Sequence, residues 1–239
     1  MTERLSDERF AEVSESYKRI SERVAAAKER AGRTDEIRIM GVTKTVSPEL
    51  INHSVGLGVK LLGENRVQEF MDKRESYDKS AEVHFIGGLQ TNKVKYIIDK
   101  VNMIHSVDSI RLASEISKRA EGCGRIMDIL VEINIGGEGS KSGISPEELE
   151  SFIDEASGLT GIRIRGLMTI PPVDINGSSE RYFAEMQELF SGMRAKTQGD
   201  SRFLFDTLSM GMSGDFETAI KYGSNIVRIG SLLYGYRKY

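Results

Sequence analysis

The sequence predicts an α/β protein, a single (β/α)8 barrel of the TIM type with one extra helix in front, filling residues 1–239 as one domain. Three observations carry this. From Ile37 onward, eight short apolar runs alternate with stretches of helical periodicity. Strand–helix alternation of that kind makes parallel β–α units, and eight units is the count of a closed barrel. No glycine-rich dinucleotide fingerprint follows the first run, which disfavours the alternative of an open, doubly wound sheet.

The elements follow in order. Residues 6–31 form an amphipathic helix with Phe10, Val13, Tyr17, Ile20, Val24 and Ala27 on one stripe, and Gly32 as its C-cap. Residues 1–36 are therefore a helical extension outside the repeating units. The first strand is Ile37–Thr43; Ser47 as N-cap and Pro48 as first helical residue open the helix Pro48–Val55. The later strands read as Val59–Leu62, Val83–Ile86, Met103–His105, Met127–Ile133, Ile164–Met168, Phe205–Leu208 and Ile226–Arg228. The later helices read as Glu64–Glu75, Thr91–Ile98, Ser109–Ala120, Pro146–Glu155, Ser179–Arg194 and Asp215–Tyr222.

Composition narrows the function. Hydrophobic content of 39% and charged content of 29% describe an ordinary globular chain. The net charge of −3 comes from interspersed acids and bases without a basic stripe, so no nucleic-acid partner is expected. No run approaches the length of a membrane span, and Met-Thr-Glu-Arg-Leu-Ser-Asp-Glu at the start has no signal-peptide pattern. Cys123 is the only cysteine and reads as a passive thiol; a cytoplasmic setting is expected.

Chemistry concentrates at one end of the expected barrel. Lys44 follows the first strand, where solvent is expected to be scarce, and a desolvated lysine is a good amine nucleophile toward aldehydes. Barrel sites lie at the C-terminal ends of the strands, with phosphate commonly held after strands seven and eight. Those loops, Leu208–Asp215 and Val227–Ser231, are rich in Gly and Ser; Ser213 reads as an N-cap and Gly230-Ser231 as the start of a short helix. An amine and a phosphate cup on one face suit a phosphorylated aldehyde. Pyridoxal 5′-phosphate fits both ends, as a Schiff base on Lys44 with its phosphate on Ser209, Gly230 and Ser231. Arg228 could reach the ring nitrogen and, being unable to accept a proton, would keep it unprotonated.

These residues sit within longer stretches: V-T-K-T at 42–45, G-E-N-R-V-Q-E at 63–69, H-F-I-G-G-L-Q-T-N-K at 84–93 and S-V-D-S at 106–109. They continue with V-E-I-N-I-G-G-E-G-S-K-S-G at 131–143, G-L-M-T-I-P-P at 166–172, L-S-M-G-M-S-G-D at 208–215 and V-R-I-G-S at 227–231. Together they resemble the pyridoxal phosphate homeostasis proteins, whose barrel resembles the N-terminal domain of alanine racemase. The resemblance implies Lys44 as the Schiff-base lysine, Asn65 and Met168 beside the cofactor, Ser209, Gly230 and Ser231 on its phosphate, and Arg228 facing the pyridine nitrogen. It implies intracellular carriage of pyridoxal phosphate without turnover, with transient contact to apo forms of enzymes that use it. Gly88 departs from the bulkier residue often found there, and Tyr234–Tyr239 has no assignable role.

Other readings rank lower. A racemase or related enzyme is the alternative function, but the barrel is expected to consume the chain, leaving no second domain to supply another acid/base. A cofactor-free Schiff-base aldolase usually carries its lysine on a later strand. Gly136–Gly143 looks like a phosphate loop but has Ser140 where a Walker sequence needs glycine; it is expected to be a mobile loop over the site mouth. His53, His84 and His105 lie far apart in sequence and no metal is expected.

Overall fold

Short apolar strands need cover on both faces, and closure of the sheet inside a ring of helices gives it. The structure, a computed structural model, describes residues 7–139, 142–172 and 179–235. Its strands are β1 (Arg38–Val42), β2 (Leu61–Glu64), β3 (Glu82–Phe85), β4 (Met103–Val107), β5 (Met127–Glu132), β6 (Ile162–Met168), β7 (Phe203–Ser209) and β8 (Ile226–Ile229). All pairs are parallel, in sequence order, and β1 closes on β8 with Arg38 opposite Ile226 and Gly41 opposite Ile229. The predicted barrel is the one formed.

The helices are α1 (Asp7–Arg30), α2 (Pro48–Leu57), α3 (Val67–Lys73), α4 (Val94–Ile97), α5 (Ile110–Gly122), α6 (Leu149–Ala156), α7 (Ser179–Lys196), α8 (Phe216–Lys221) and α9 (Ser231–Tyr234). Helix α1 is the predicted extra element. Its apolar stripe buries Val13, Ile20, Val24 and Ala27 against α2, α8 and α9. At its end Gly32 adopts φ +62°, and the Arg33 N–H returns to the Lys28 carbonyl at 3.1 Å.

Two boundary corrections matter for the site. Glu64 is the last residue of β2 and wholly buried, not the first residue of a helix; α3 starts only at Val67. The stretch Thr91–Ile98 begins as a 3-10 turn over Thr91–Lys93 and becomes α4 only at Val94.

Strands β6 and β7 each slip phase. The register jumps between Ile164 and Gly166 against both neighbours, and Phe205 takes φ +39°. Below the slip, Ile162, Ile164, Phe203 and Phe205 join the large core between barrel and helices. Above it, Leu167 and Leu208 do so, while Met168 belongs to a small cluster with Met103 and Leu130 inside the barrel. A second interior cluster holds Met40, Val42, Leu61, Ile86 and Ile226. His84, His105, Ser209 and Arg228 run across the barrel between these two clusters, all buried.

Candidate cofactor pocket

The C-terminal mouth of the barrel opens into a cavity of about 480 Å³, ample for a small cofactor. It is lined by Val42, Lys44, Asn65, Ile86, Ile170, Met212, Ser213, Gly214, Arg228, Gly230 and Ser231. Five of the seven predicted site residues, Lys44, Asn65, Arg228, Gly230 and Ser231, therefore share one pocket. The other two, Met168 and Ser209, are buried one layer below. Ile170 and Met212, 40% and 37% exposed, make an apolar rim that the sequence reading missed.

Lys44 stands on the turn after β1, two residues past the strand end, and is half-buried. The expectation of a lysine cut off from solvent is corrected: the turn lifts it into the open mouth. That turn is held under strain. Thr45 has φ +62°, a costly conformation for a β-branched residue. Its N–H donates to Glu69 of α3, and Lys73 bridges Glu69 and the Thr43 carbonyl, the latter at 3.3 Å. Beneath, Glu64 Oε1 accepts from the Thr43 and Tyr77 hydroxyls, while Oε2 is buried with no partner. Burial pushes the Glu64 carboxyl up, opposed by those two hydrogen bonds and by Lys73.

Arg228 leaves β8 pointing inward and is 4% exposed. Nη1 donates to the Ser209 carbonyl at 2.8 Å and hydroxyl at 2.9 Å, and Nη2 to the Thr169 carbonyl at 2.8 Å. All three acceptors are neutral. Burial pulls the guanidinium down to about 10, with Asp215 and Glu132 acting the other way. Glu132, at the end of β5, is pushed up to about 7 by burial, with Asp108 adding and Arg228 opposing.

The serine placements differ from expectation in two ways. Ser209 Oγ accepts from Arg228 and lies beside His105 Nδ1, and the residue does not line the cavity, because the slip in β7 turns it inward. Ser213 does not cap α8; Asp215 takes that position, and Ser213 Oγ accepts from the Leu232 N–H at 3.4 Å, latching the β7 loop to α9. Gly230 is the N-cap of α9 and Ser231 its first residue, so the helix start faces the cavity as read.

Other expectations resolve as follows. His84 and His105, far apart in sequence, are neighbours across β3 and β4 with ring nitrogens 2.9 Å apart. Gly88 is exposed, with open space where a side chain would project. Residues 140–141 of the glycine loop lie outside the described residues, and the described part does not line the cavity. Tyr234 does have a role: its hydroxyl meets Ser54 at 2.9 Å and its carbonyl accepts from Arg9 at 2.7 Å. Residues 236–239 are outside the described residues. No described helix is long and apolar enough to cross a membrane.

Comparison with known proteins places this geometry. Residues 16–238 match the family described as alanine racemase, N-terminal domain. The pyridoxal phosphate homeostasis protein of Aquifex aeolicus is 47% identical over 228 residues, covering 94% of this chain and 98% of that one. Its Escherichia coli counterpart is 33% identical over 234 residues, covering 95% and 98%. Among solved structures, PipY of Synechococcus elongatus with pyridoxal phosphate bound is 28% identical, with a TM-score of 0.78 over 90% of this chain and all of that one. An alanine racemase of Clostridium difficile, 18% identical with a TM-score of 0.70, shares the fold over 90% of this chain and 59% of its own. By sequence across nearly its whole length and by fold, the chain belongs to the pyridoxal phosphate homeostasis proteins, within the alanine racemase N-terminal domain family.

Proposed function

We propose that this protein binds pyridoxal 5′-phosphate on Lys44 and carries it inside the cell, where it could meet apo forms of enzymes that use it, without turning over a substrate. One observation carries the reading: an amine, a buried guanidinium and a serine at a helix start line the same cavity. Asn65 adds to the fit, since its Oδ1 is buried with no partner beside that cavity. The relative whose structure holds the cofactor supports the same choice.

The cofactor supplies a reactive aldehyde and an aromatic ring that can accept electrons. Lys44 would hold the cofactor through its amine, the only amine among the described residues lining the cavity. Gly230 and Ser231 would hold the phosphate with backbone and hydroxyl donors, and Asn65 Oδ1 offers the cavity an unused acceptor. Met168 lies in the layer beneath and shapes the floor. The Arg228 guanidinium, which cannot accept a proton, would meet the ring nitrogen as a hydrogen-bond donor. Among the described residues lining the cavity, Lys44 and Arg228 are the only titratable groups. A carbanion formed there would lack both a strong sink and a second proton donor, a deficit of about 10²–10⁴-fold for the missing acid–base group alone.

Two results follow. Incubated with alanine or other amino acids, the loaded protein is expected to show no racemisation, transamination or decarboxylation above free cofactor, measured by chiral chromatography and oxo-acid detection. Sustained turnover that disappears in Lys44→Ala would instead make the protein an enzyme. Ser231→Ala is expected to weaken pyridoxal phosphate by about 1.5–3 kcal/mol and to spare pyridoxal. Ser209→Ala should affect the two ligands equally, because its hydroxyl serves Arg228. Titration calorimetry with both ligands separates them, and a phosphate-selective loss at Ser209 would return that residue to the phosphate site.

A further inference from the structure

The interior of a small barrel is normally filled with apolar layers, and buried polar groups are costly unless each is paired. Here a continuous polar path crosses the barrel. At the N-terminal mouth, Glu82 Oε2 meets Arg38 Nη2 at 2.9 Å and His84 Nε2 at 3.4 Å. His84 Nδ1 lies 2.9 Å from His105 Nε2, and His105 Nδ1 lies 3.2 Å from Ser209 Oγ. Arg228 Nη1 completes the path with its 2.9 Å bond to Ser209 Oγ. His84, His105 and Ser209 are at most 1% exposed, and the cavity needs none of them for its lining.

With neutral imidazoles the carboxylate end fixes the direction of every proton, and the Arg228 end is compatible with it. Arg228 can only donate, so Ser209 Oγ accepts from it and its own hydrogen is free for His105 Nδ1. When Ser209 donates to His105 Nδ1, His105 carries its hydrogen on Nε2 and donates to His84 Nδ1, which places the His84 hydrogen on Nε2, toward Glu82. The other end agrees. Glu82 is held ionised near 2 by the hydrogen bond from His84 and by Arg38, so it can only accept. The reverse arrangement would set a His84 lone pair against a carboxylate.

We propose that Glu82, His84, His105 and Ser209 form a one-way hydrogen-bond relay that positions the Arg228 guanidinium, joining a carboxylate at one mouth of the barrel to the cavity at the other. The assignment to the cofactor ring rests on the function proposed above; the relay itself rests on the distances alone. Its charged neighbourhood favours neutral imidazoles. Burial lowers His84, with Arg38 adding and Glu82 and Asp128 opposing. Burial lowers His105 strongly, with His84, Arg228 and Arg38 all adding. Arg228 faces Asp215 and Glu132. Since the guanidinium touches only neutral oxygens, a relay ending in a carboxylate keeps the Ser209 lone pair turned toward it.

Two measurements test this. In the cofactor-free protein, 15N NMR of the imidazoles at neutral pH should show His84 and His105 both as Nε2–H tautomers; an Nδ1–H tautomer at either overturns the relay whatever the cavity binds. In the loaded protein, the visible absorbance is titrated with pH for the wild type, His105→Leu, His105→Gln and Glu82→Gln, with a thermal melt of each. Breaking the relay should loosen the donor on the ring nitrogen and raise the absorbance midpoint in His105→Leu by about one pH unit. His105→Gln, which keeps one acceptor and one donor, should stay near wild type. Glu82→Gln, half-exposed and tolerant of change, should move in the same direction by less. Unchanged midpoints in Glu82→Gln and His105→Leu, with only lower melting temperatures, would reduce the path to a structural role and overturn the proposal. A wild-type protein with no reducible cofactor on Lys44 would instead refute the reading of the cavity, leaving the tautomer result to judge the relay.

Discussion

Lys44→Ala abolishes borohydride-reducible pyridoxal phosphate on the protein and removes its visible band, while the barrel stays folded. Among the described residues no other lysine lines the cavity, so none of them can take over the condensation. The stability of the turn should survive, because its strain is held by Glu69 and Lys73 through backbone groups of Thr45 and Thr43, not through the Lys44 side chain. Residual noncovalent binding through the phosphate contacts is expected, visible as protection of free pyridoxal phosphate in equilibrium dialysis. Mass spectrometry after reduction, with peptide mapping of the wild type, decides it. A cofactor mass retained on Lys44→Ala would move the site to another lysine and dissolve the central claim.

Gly166→Ala is expected to cost about 3 kcal/mol or more, from a residue whose side chain would never touch a ligand. Gly166 has φ +145°, and a methyl placed there would lie 1.9 Å from the Thr207 carbonyl oxygen and 3.0 Å from Phe190. The backbone of β6 or β7 would have to move, and both carry the phase slip that turns Met168 and Ser209 into the barrel. Stability and site geometry should therefore fall together: a lower urea midpoint and, in the folded fraction, weakened cofactor binding. Lost stability with unaltered binding would show that the slip is not what orients the upper ends of these strands.

That slip also explains where sequence reading stopped. The barrel was legible because parallel strands read as apolar runs and their helices as periodic stretches. Lys44, Arg228, Gly230 and Ser231 were legible because strand ends and the turns after them point to one face whatever the details. The inward turn of Ser209 toward Arg228 and His105 was not legible, since extra residues in a strand shift its alternation and leave no mark in the composition. Glu64 read as the opening of a helix because carboxylates favour first turns; only the Thr43 and Tyr77 hydroxyls, brought in by the fold, show why it can be buried. The His84–His105 contact joins two strands separated by a helix, and no local pattern announces it.

The berth of α1 bears on how the protein is made. Helix α1 leaves the ribosome well before α8 and α9, on which it packs together with α2, and Arg9 reaches the Tyr234 carbonyl. Until those residues emerge, α1 has an apolar stripe with only α2 to cover it, the kind of exposed surface that chaperones hold during translation. Helix α9 also begins with Ser231 at the cavity and ends with Tyr234 against α2. Seating α9 thus fixes α1 and brings Ser231 to the cavity in one event, so a nascent chain that has not yet released α9 should hold pyridoxal phosphate poorly.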